Sequence, residues 1–197
     1  MVLGFLNLPY SSRVLSYDDE TTPLKLTGVK MLPILEFDGG VMNESLDIMK
    51  FLDHNNFFKI SEIRQKSDFS DFEYFLNLLG NPVHSLAMPY WIYSPEFNET
   101  SRAYFQKKKE LKRGPFKELI HRKQEFLSEL TPMLKDIEDQ LEPYYKSKNL
   151  GFYDILLAAH LWGLYVVPEF QFSEKIHQYL QRIKSDCHFD YHQDFWS

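Results

Sequence analysis

The chain has 197 residues, with 22 Lys or Arg against 28 Asp or Glu, for a formal net charge of −6. That balance argues against nonspecific nucleic-acid binding, and 44% hydrophobic with 16% aromatic residues argues against disorder. The one cysteine, Cys187, excludes an internal disulfide, a CxxC redox pair and a cysteine-based zinc site within these residues.

Such a length makes one large domain or two small ones. The N-terminus lacks a basic start before its short apolar stretch, so no secretory signal is expected. The longest apolar run, Ile155 to Val167, is interrupted by His160 and is too short to span a bilayer. It reads as a buried helix, and the expectation is a cytoplasmic protein that does not enter the membrane.

In chain order, Arg13 to Tyr17 alternates polar and apolar residues and suits a strand. Asp18, Asp19, Thr21 and Thr22 mark a turn, and Pro23 suits the first turn of a short helix ending at Gly28. Pro33 to Phe37 reads as a second strand. Asp38-Gly39-Gly40 is a hairpin turn, because glycine adopts positive φ without steric cost. Val41-Met42 starts the returning strand. Asn43 or Glu44 opens a helix to about Asn55, with Leu46, Met49 and Leu52 or Phe51 on one face.

Composition shifts near residue 58, and no strand pattern recurs after residue 60. Ser67 to Leu79 is helical, with Phe72, Phe75, Leu76 and Leu79 on one face. Pro82, Pro89 and Pro95 punctuate an aromatic connection. Thr100 to Arg113 is a basic helix stopped by Gly114-Pro115. Phe116 to Leu141 has helical apolar spacing, with a kink or break expected at Pro132 and Thr131 as a cap. Gly151 to Val167 is an apolar helix, and Ser173 caps a last one carrying Ile176, Leu180 and Ile183. The predicted layout is a small α/β domain over 1–58 and an all-helical domain over 59–197.

Chemistry concentrates in the first part. A proline opening a strand, as Leu32-Pro33 does, is a candidate cis peptide. There the preceding backbone N–H and C=O are available to a peptide ligand. Glu44-Ser45 falls at a helix N-terminus, where a hydroxyl, free N–H groups and the helix dipole favour an anion. The plainer reading is that Pro33 begins an edge strand and Ser45 caps a helix. From spacing alone both stay open.

The stretch TPLKLTGVKMLPILEFDGGVMNESLDIMKFLD, Thr22 to Asp53, resembles the glutaredoxin 2 family, large bacterial glutaredoxins of glutathione-transferase shape. The likeness extends upstream through MVLGFLNLPYSSRVLSYDDE and downstream through TSRAYFQKKKE and GFYDILLAAHLWGLY. It implies an α/β thioredoxin-like N-terminal domain, here incomplete, joined to an all-α glutathione-transferase-like C-terminal domain. It implies glutathione as cosubstrate or ligand and no metal. Leu32 would pair its backbone with the cysteinyl part beside cis Pro33, and Glu44 and Ser45 would hold the γ-glutamyl end. Asp154 resembles a structural aspartate at the start of a helix. Disulfide-bearing proteins are the second implied partner, and the implied state is a monomer.

One departure matters. The family's first strand and its Cys-Pro-Tyr-Cys motif would fall before Met1, and the chain carries neither. A glutaredoxin's first cysteine attacks as a thiolate and forms a mixed disulfide. Cys187, near the far end, is a poor substitute. Two readings follow: Met1 is an internal methionine of a longer gene product, or the chain is a degenerate member that binds without catalysing. The first is preferred, because loss of a central strand is hard to tolerate and leaves an open sheet edge. A thiol–disulfide oxidoreductase inactive as written is therefore expected, with a noncatalytic glutathione- or protein-binding module as the alternative. A true transferase would need an activating Ser, Tyr or Cys on that same strand.

Weaker signals are given plain readings. The basic run Gln106 to Arg113 could face a thiol-protein partner or phosphate, and the plainer reading, a solvated face, is preferred. His188 and His192 are four apart, as metal ligands on a helix would be, but spacing specifies no further ligand. His160 reads as a satisfied core histidine, and His84 with the aromatics of Met88 to Tyr93 as packing.

Overall fold

The computed structural model describes residues 1–190. Short α1 (Val2–Phe5) is followed by an extended segment and by α2 (Thr21–Thr27). The Asp19 carboxylate accepts the Thr22 N–H at 2.9 Å at the start of α2. Gly28 ends it at φ 77°, a left-handed conformation that costs glycine little. Strands β1 (Ile34–Phe37) and β2 (Gly40–Asn43) form an antiparallel pair. Phe37 faces Gly40 and Ile34 faces Asn43, so Asp38-Gly39 is a two-residue hairpin loop. Helix α3 (Ser45–Leu52) then buries Ile48 and Met49. Asp53 closes it by accepting the Phe57 and Phe58 N–H groups, each at 2.7 Å.

The rest is helical: α4 (Ile60–Ile63), α5 (Ser67–Trp91), α6 (Glu99–Arg113), α7 (Phe116–His121), α8 (Lys123–Asp139), α9 (Phe152–Leu161), a 3₁₀ turn (Trp162–Val166) and α10 (Glu174–Asp186). Helix α5 packs against α7, α8, α9 and the 3₁₀ turn. Around it Leu79, Leu130, Ile137, Leu157, Leu161, Leu164 and Leu180 are fully buried. The thioredoxin-like part with its small sheet and the helical C-terminal part are thus both present.

Asp154 ties the helical part together. Its carboxylate accepts the Tyr145 N–H at 2.8 Å, the Tyr179 hydroxyl at 2.9 Å and the Gly151 N–H at 2.8 Å. Burial holds its carboxyl above the usual carboxylate range, and these three hydrogen bonds offset that only in part. At the chain's start, Gly4 lies against the end of α10. A Cβ there would sit 1.8 Å from the Cys187 carbonyl oxygen, so only glycine fits.

Four expectations are corrected. Arg13 to Tyr17 is in no strand. Its alternation needs a partner strand, and Tyr17 instead sets its ring on Phe105 with centroids 4.6 Å apart. Pro82 and Pro89 do not interrupt a connection but lie inside α5. Phe69, Phe72, Leu76, Leu79, Val83 and Leu86 keep helical spacing across Pro82, and their burial outweighs the lost hydrogen bond. Pro132 and Thr131 lie within α8, while the break falls at Arg122, between α7 and α8. The Gly151 to Val167 helix tightens to 3₁₀ geometry from Trp162. Ser173 does cap α10, accepting the Ile176 N–H at 3.4 Å.

Candidate functional site

The two sequence-predicted pairs flank the same end of the hairpin. Ile34 lies opposite Asn43, so Leu32-Pro33 leads into β1 and Glu44-Ser45 follows β2 at that same end. The Leu32–Pro33 peptide is cis. Leu32 is 54% exposed, and its N–H and C=O make no backbone hydrogen bond among the described residues. The Asn43 side-chain amide donates to the Thr27 hydroxyl at 3.4 Å, fixing the end of β2 to α2.

Glu44 is the residue before α3, at φ 72° and ψ 109°. A non-glycine residue with that φ carries backbone strain of about 1–3 kcal/mol. The strain turns the chain sharply from β2 into the helix. Ser45 is the first helical residue rather than the cap, and no side chain caps α3. The first intrahelical bond runs from the Ile48 N–H to the Glu44 carbonyl at 2.9 Å. The N–H groups of Ser45, Leu46 and Asp47 therefore have no partner within the helix. Glu44 and Ser45 are both exposed. The result is an open platform: a free peptide edge at Leu32 and, at the same end of the hairpin, a helix N-terminus with a hydroxyl and three N–H groups.

A group that sequence reasoning missed anchors this platform to α6. The Lys30 ammonium donates to Glu20 and to the Tyr104 hydroxyl, both at 3.0 Å. It also lies 4.3 Å from the centroid of the Tyr104 ring. Tyr104 donates to Glu20 in turn, and Lys108 joins at 3.4 Å. The Tyr104 hydroxyl and the two lysines hold the Glu20 carboxyl down at about 2. Part of the basic run is thus an intramolecular contact rather than a purely solvated face. Only the tertiary structure brings Lys108 to Glu20, so no local sequence signal could have found the cluster.

Cys187 is 1% exposed. Burial pushes its thiol up to about 12, which leaves almost no thiolate near neutrality. His188 stands beyond the end of α10, and His192 lies outside the described residues. Among the described residues no group of three or more His, Cys, Asp or Glu is placed to hold a metal ion. No helix among them is long and apolar enough to cross a membrane. The His160 Nδ1–H donates to the Leu156 carbonyl at 2.9 Å, and its ring is 6.4 Å from that of His84.

The chain as a whole is similar to known proteins. Residues 1–57 match the glutathione S-transferase N-terminal domain family. Glutaredoxin 2 from Escherichia coli K12 is 26% identical over 185 residues, covering 91% of this chain and 84% of that protein. The protein of the same name from Escherichia coli O6:H1 matches to the same extent. A 1.2 Å crystal structure of glutaredoxin 2 from Salmonella typhimurium, in complex with glutathione, superposes with a TM-score of 0.84 at 24% identity. That alignment covers 100% of this chain and 91% of the other, and it shows a shared fold. Residues 71–193 match the family described as glutaredoxin 2, C-terminal domain. That match takes in well over half of the sequence and the helices built around α5 and Asp154, and by it the chain belongs to the glutaredoxin 2 family.

Proposed function

We propose that this chain binds glutathione on the hairpin platform and, with the residues given, does not turn it over. Leu32 would pair its free N–H and C=O with the cysteinyl backbone beside Pro33. Ser45 and the free N–H groups of α3 would receive the γ-glutamyl carboxylate, and Glu44 the γ-glutamyl amine. The observation that carries this is the α3 N-terminus. Three N–H groups and an exposed hydroxyl stand there without a protein side chain to cap them. A relative of the same fold was crystallised in complex with glutathione, which supports the choice of ligand.

The lack of turnover follows from the thiol. Disulfide exchange begins with a thiolate. The only cysteine in the sequence is Cys187, buried and held protonated. The family's glutathione-dependent oxidoreductase chemistry therefore has no nucleophile among these residues. Disulfide-bearing proteins are the second partner class of this reading, with the chain acting as a monomer. A single buried free thiol fits a reducing compartment such as the cytoplasm. The boundary between the two parts falls near residue 58, with 1–58 carrying the ligand and 59–197 supporting it.

Two measurements test this. Calorimetry with glutathione is expected to show binding that Ser45→Ala weakens by about 1.5–3 kcal/mol, the range for a hydrogen bond to a charged group. Unchanged affinity in Ser45→Ala would overturn the carboxylate site. Glutathione-coupled reduction of a small mixed disulfide is expected to stay at background. Turnover that survives Cys187→Ala would contradict the nucleophile argument. Background activity together with no measurable glutathione affinity would favour the second reading, a noncatalytic protein-binding module.

A further inference from the structure

Helix α5, the end of α6 and the start of α8 enclose a cleft of about 360 Å³, lined in part by Asn81, Ser85, Lys112, Arg113, Arg122 and Glu129. It shares no residue with the hairpin platform, and the proposed function does not use it. Its centre is Arg113. One guanidinium nitrogen, Nη1, donates to the Asn81 backbone carbonyl at 3.3 Å, the Asn81 side-chain oxygen at 3.2 Å and the Ser85 hydroxyl at 3.3 Å. The other, Nη2, lies 3.2 Å from His84 Nδ1. A guanidinium only donates, so His84 accepts there and is the neutral imidazole. Every group holding Arg113 is therefore uncharged.

No carboxylate lies within ion-pair distance of Arg113 or of Lys112 among the described residues. The Nε–H of Arg113 also has no protein partner there. Arg122 differs, since Glu125 takes its charge at 2.5 Å. Glu129 accepts from the Asn81 amide at 3.5 Å on the facing wall. The dipole of α6 welcomes basic residues in its last turn. It does not account for a guanidinium fixed by four neutral contacts with its charge left unmatched. A planar fork with open donors, held in place beforehand, is what oxyanion recognition requires.

We propose that this cleft binds a phosphate group, with Arg113 as the fork and Lys112 as the second charge. Glu129 limits the net positive charge, so one phosphate fits better than a polyanion. The phosphate comes either from free inorganic phosphate or from a small phosphomonoester.

The test uses the full chain at pH 7 and follows the Arg113 Nε–H and His84 ring resonances by NMR. Inorganic phosphate and phenyl phosphate are titrated separately against sodium chloride of matched ionic strength. Saturable shifts at millimolar concentration or below are expected with at least one of them. Saturation by inorganic phosphate assigns the free ion, and saturation by phenyl phosphate alone assigns the ester. Arg113→Gln should abolish the His84 response. Arg113→Lys, which keeps the charge and loses the fork, should weaken binding about tenfold. Lys112→Gln, on the exposed side, guards against a folding defect and should weaken it by a similar factor. Shifts no larger than those in chloride, or saturation that persists in both Gln variants, would overturn the proposal.

Discussion

Phe37 and Val41 of the hairpin are 37% and 39% exposed, whereas Leu130, Leu157 and Leu180 of the helical part are completely buried. Both regions have regular secondary structure, but only the second encloses a core. The hairpin leans on α2 and α3 through contacts such as Asn43 to Thr27 and the burial of Ile48 and Met49. Two strands alone are marginally stable in water. The comparison teaches that backbone pairing shapes the platform while helix packing supplies most of the stability. It also places the candidate ligand site on the less protected region, as binding elements commonly are.

The largest expected effect that would break this contrast comes from Asp154→Ala. It leaves two N–H groups and a hydroxyl unpaired inside the helical part. At about 1–3 kcal/mol for each unsatisfied buried group, a loss of several kcal/mol is expected in urea unfolding. Leu157→Ala comes next, at about 2–5 kcal/mol, the usual range for emptying a buried leucine site. Its counterpart in the hairpin, Val41→Ala, should cost about 0.5 kcal/mol or less, since the side chain is already half in water. Equal losses from Leu157→Ala and Val41→Ala would erase the distinction.

Hydrogen exchange sharpens the same comparison. Amides of 34–43 are expected to exchange faster than those of α5, α8 and α9, through local opening rather than global unfolding. Protection as strong in the hairpin as in α9 would mean the two regions open together.

The smallest effect concerns the Glu20 cluster between α2 and α6. Its folded pKa lies below the ordinary value of 4.5, at about 2. The contact is therefore present in full above about pH 4.5 and is lost as pH falls toward about 2. The Tyr104 hydroxyl is the first cause of the shift. Tyr104→Phe should move the Glu20 carboxyl back toward its ordinary value, as read by carbon-13 titration. An unmoved titration would remove Tyr104 from the cluster.

Much of the candidate site was legible because its signals are local. A proline before an apolar run, Asp38-Gly39 between two short runs and Ser45 ahead of helical spacing each act within a few residues. The hairpin register then follows from a two-residue turn, and with it the placing of Leu32-Pro33 and Glu44-Ser45 at one end of the hairpin. The unread parts depend on distant chain. Arg13 to Tyr17 alternates like a strand, yet pairing is a property of two segments. Without a partner, Tyr17 is half-buried against Phe105 instead. Pro82 looks like a breaker within its own window, but α5 is enclosed by α7, α8 and α9.

By itself the sequence determined the one-cysteine chemistry, the spacing of the helices, the hairpin turn and the family likeness, because each is written in residue type and short-range order. The tertiary structure decided what those residues meet. It buried Cys187 against the Gly4 turn, joined Lys30 and Lys108 at Glu20, and fixed Arg113 among neutral acceptors. Each outcome depends on the burial and neighbouring charge that packing creates, and neither can be read along a single stretch of chain.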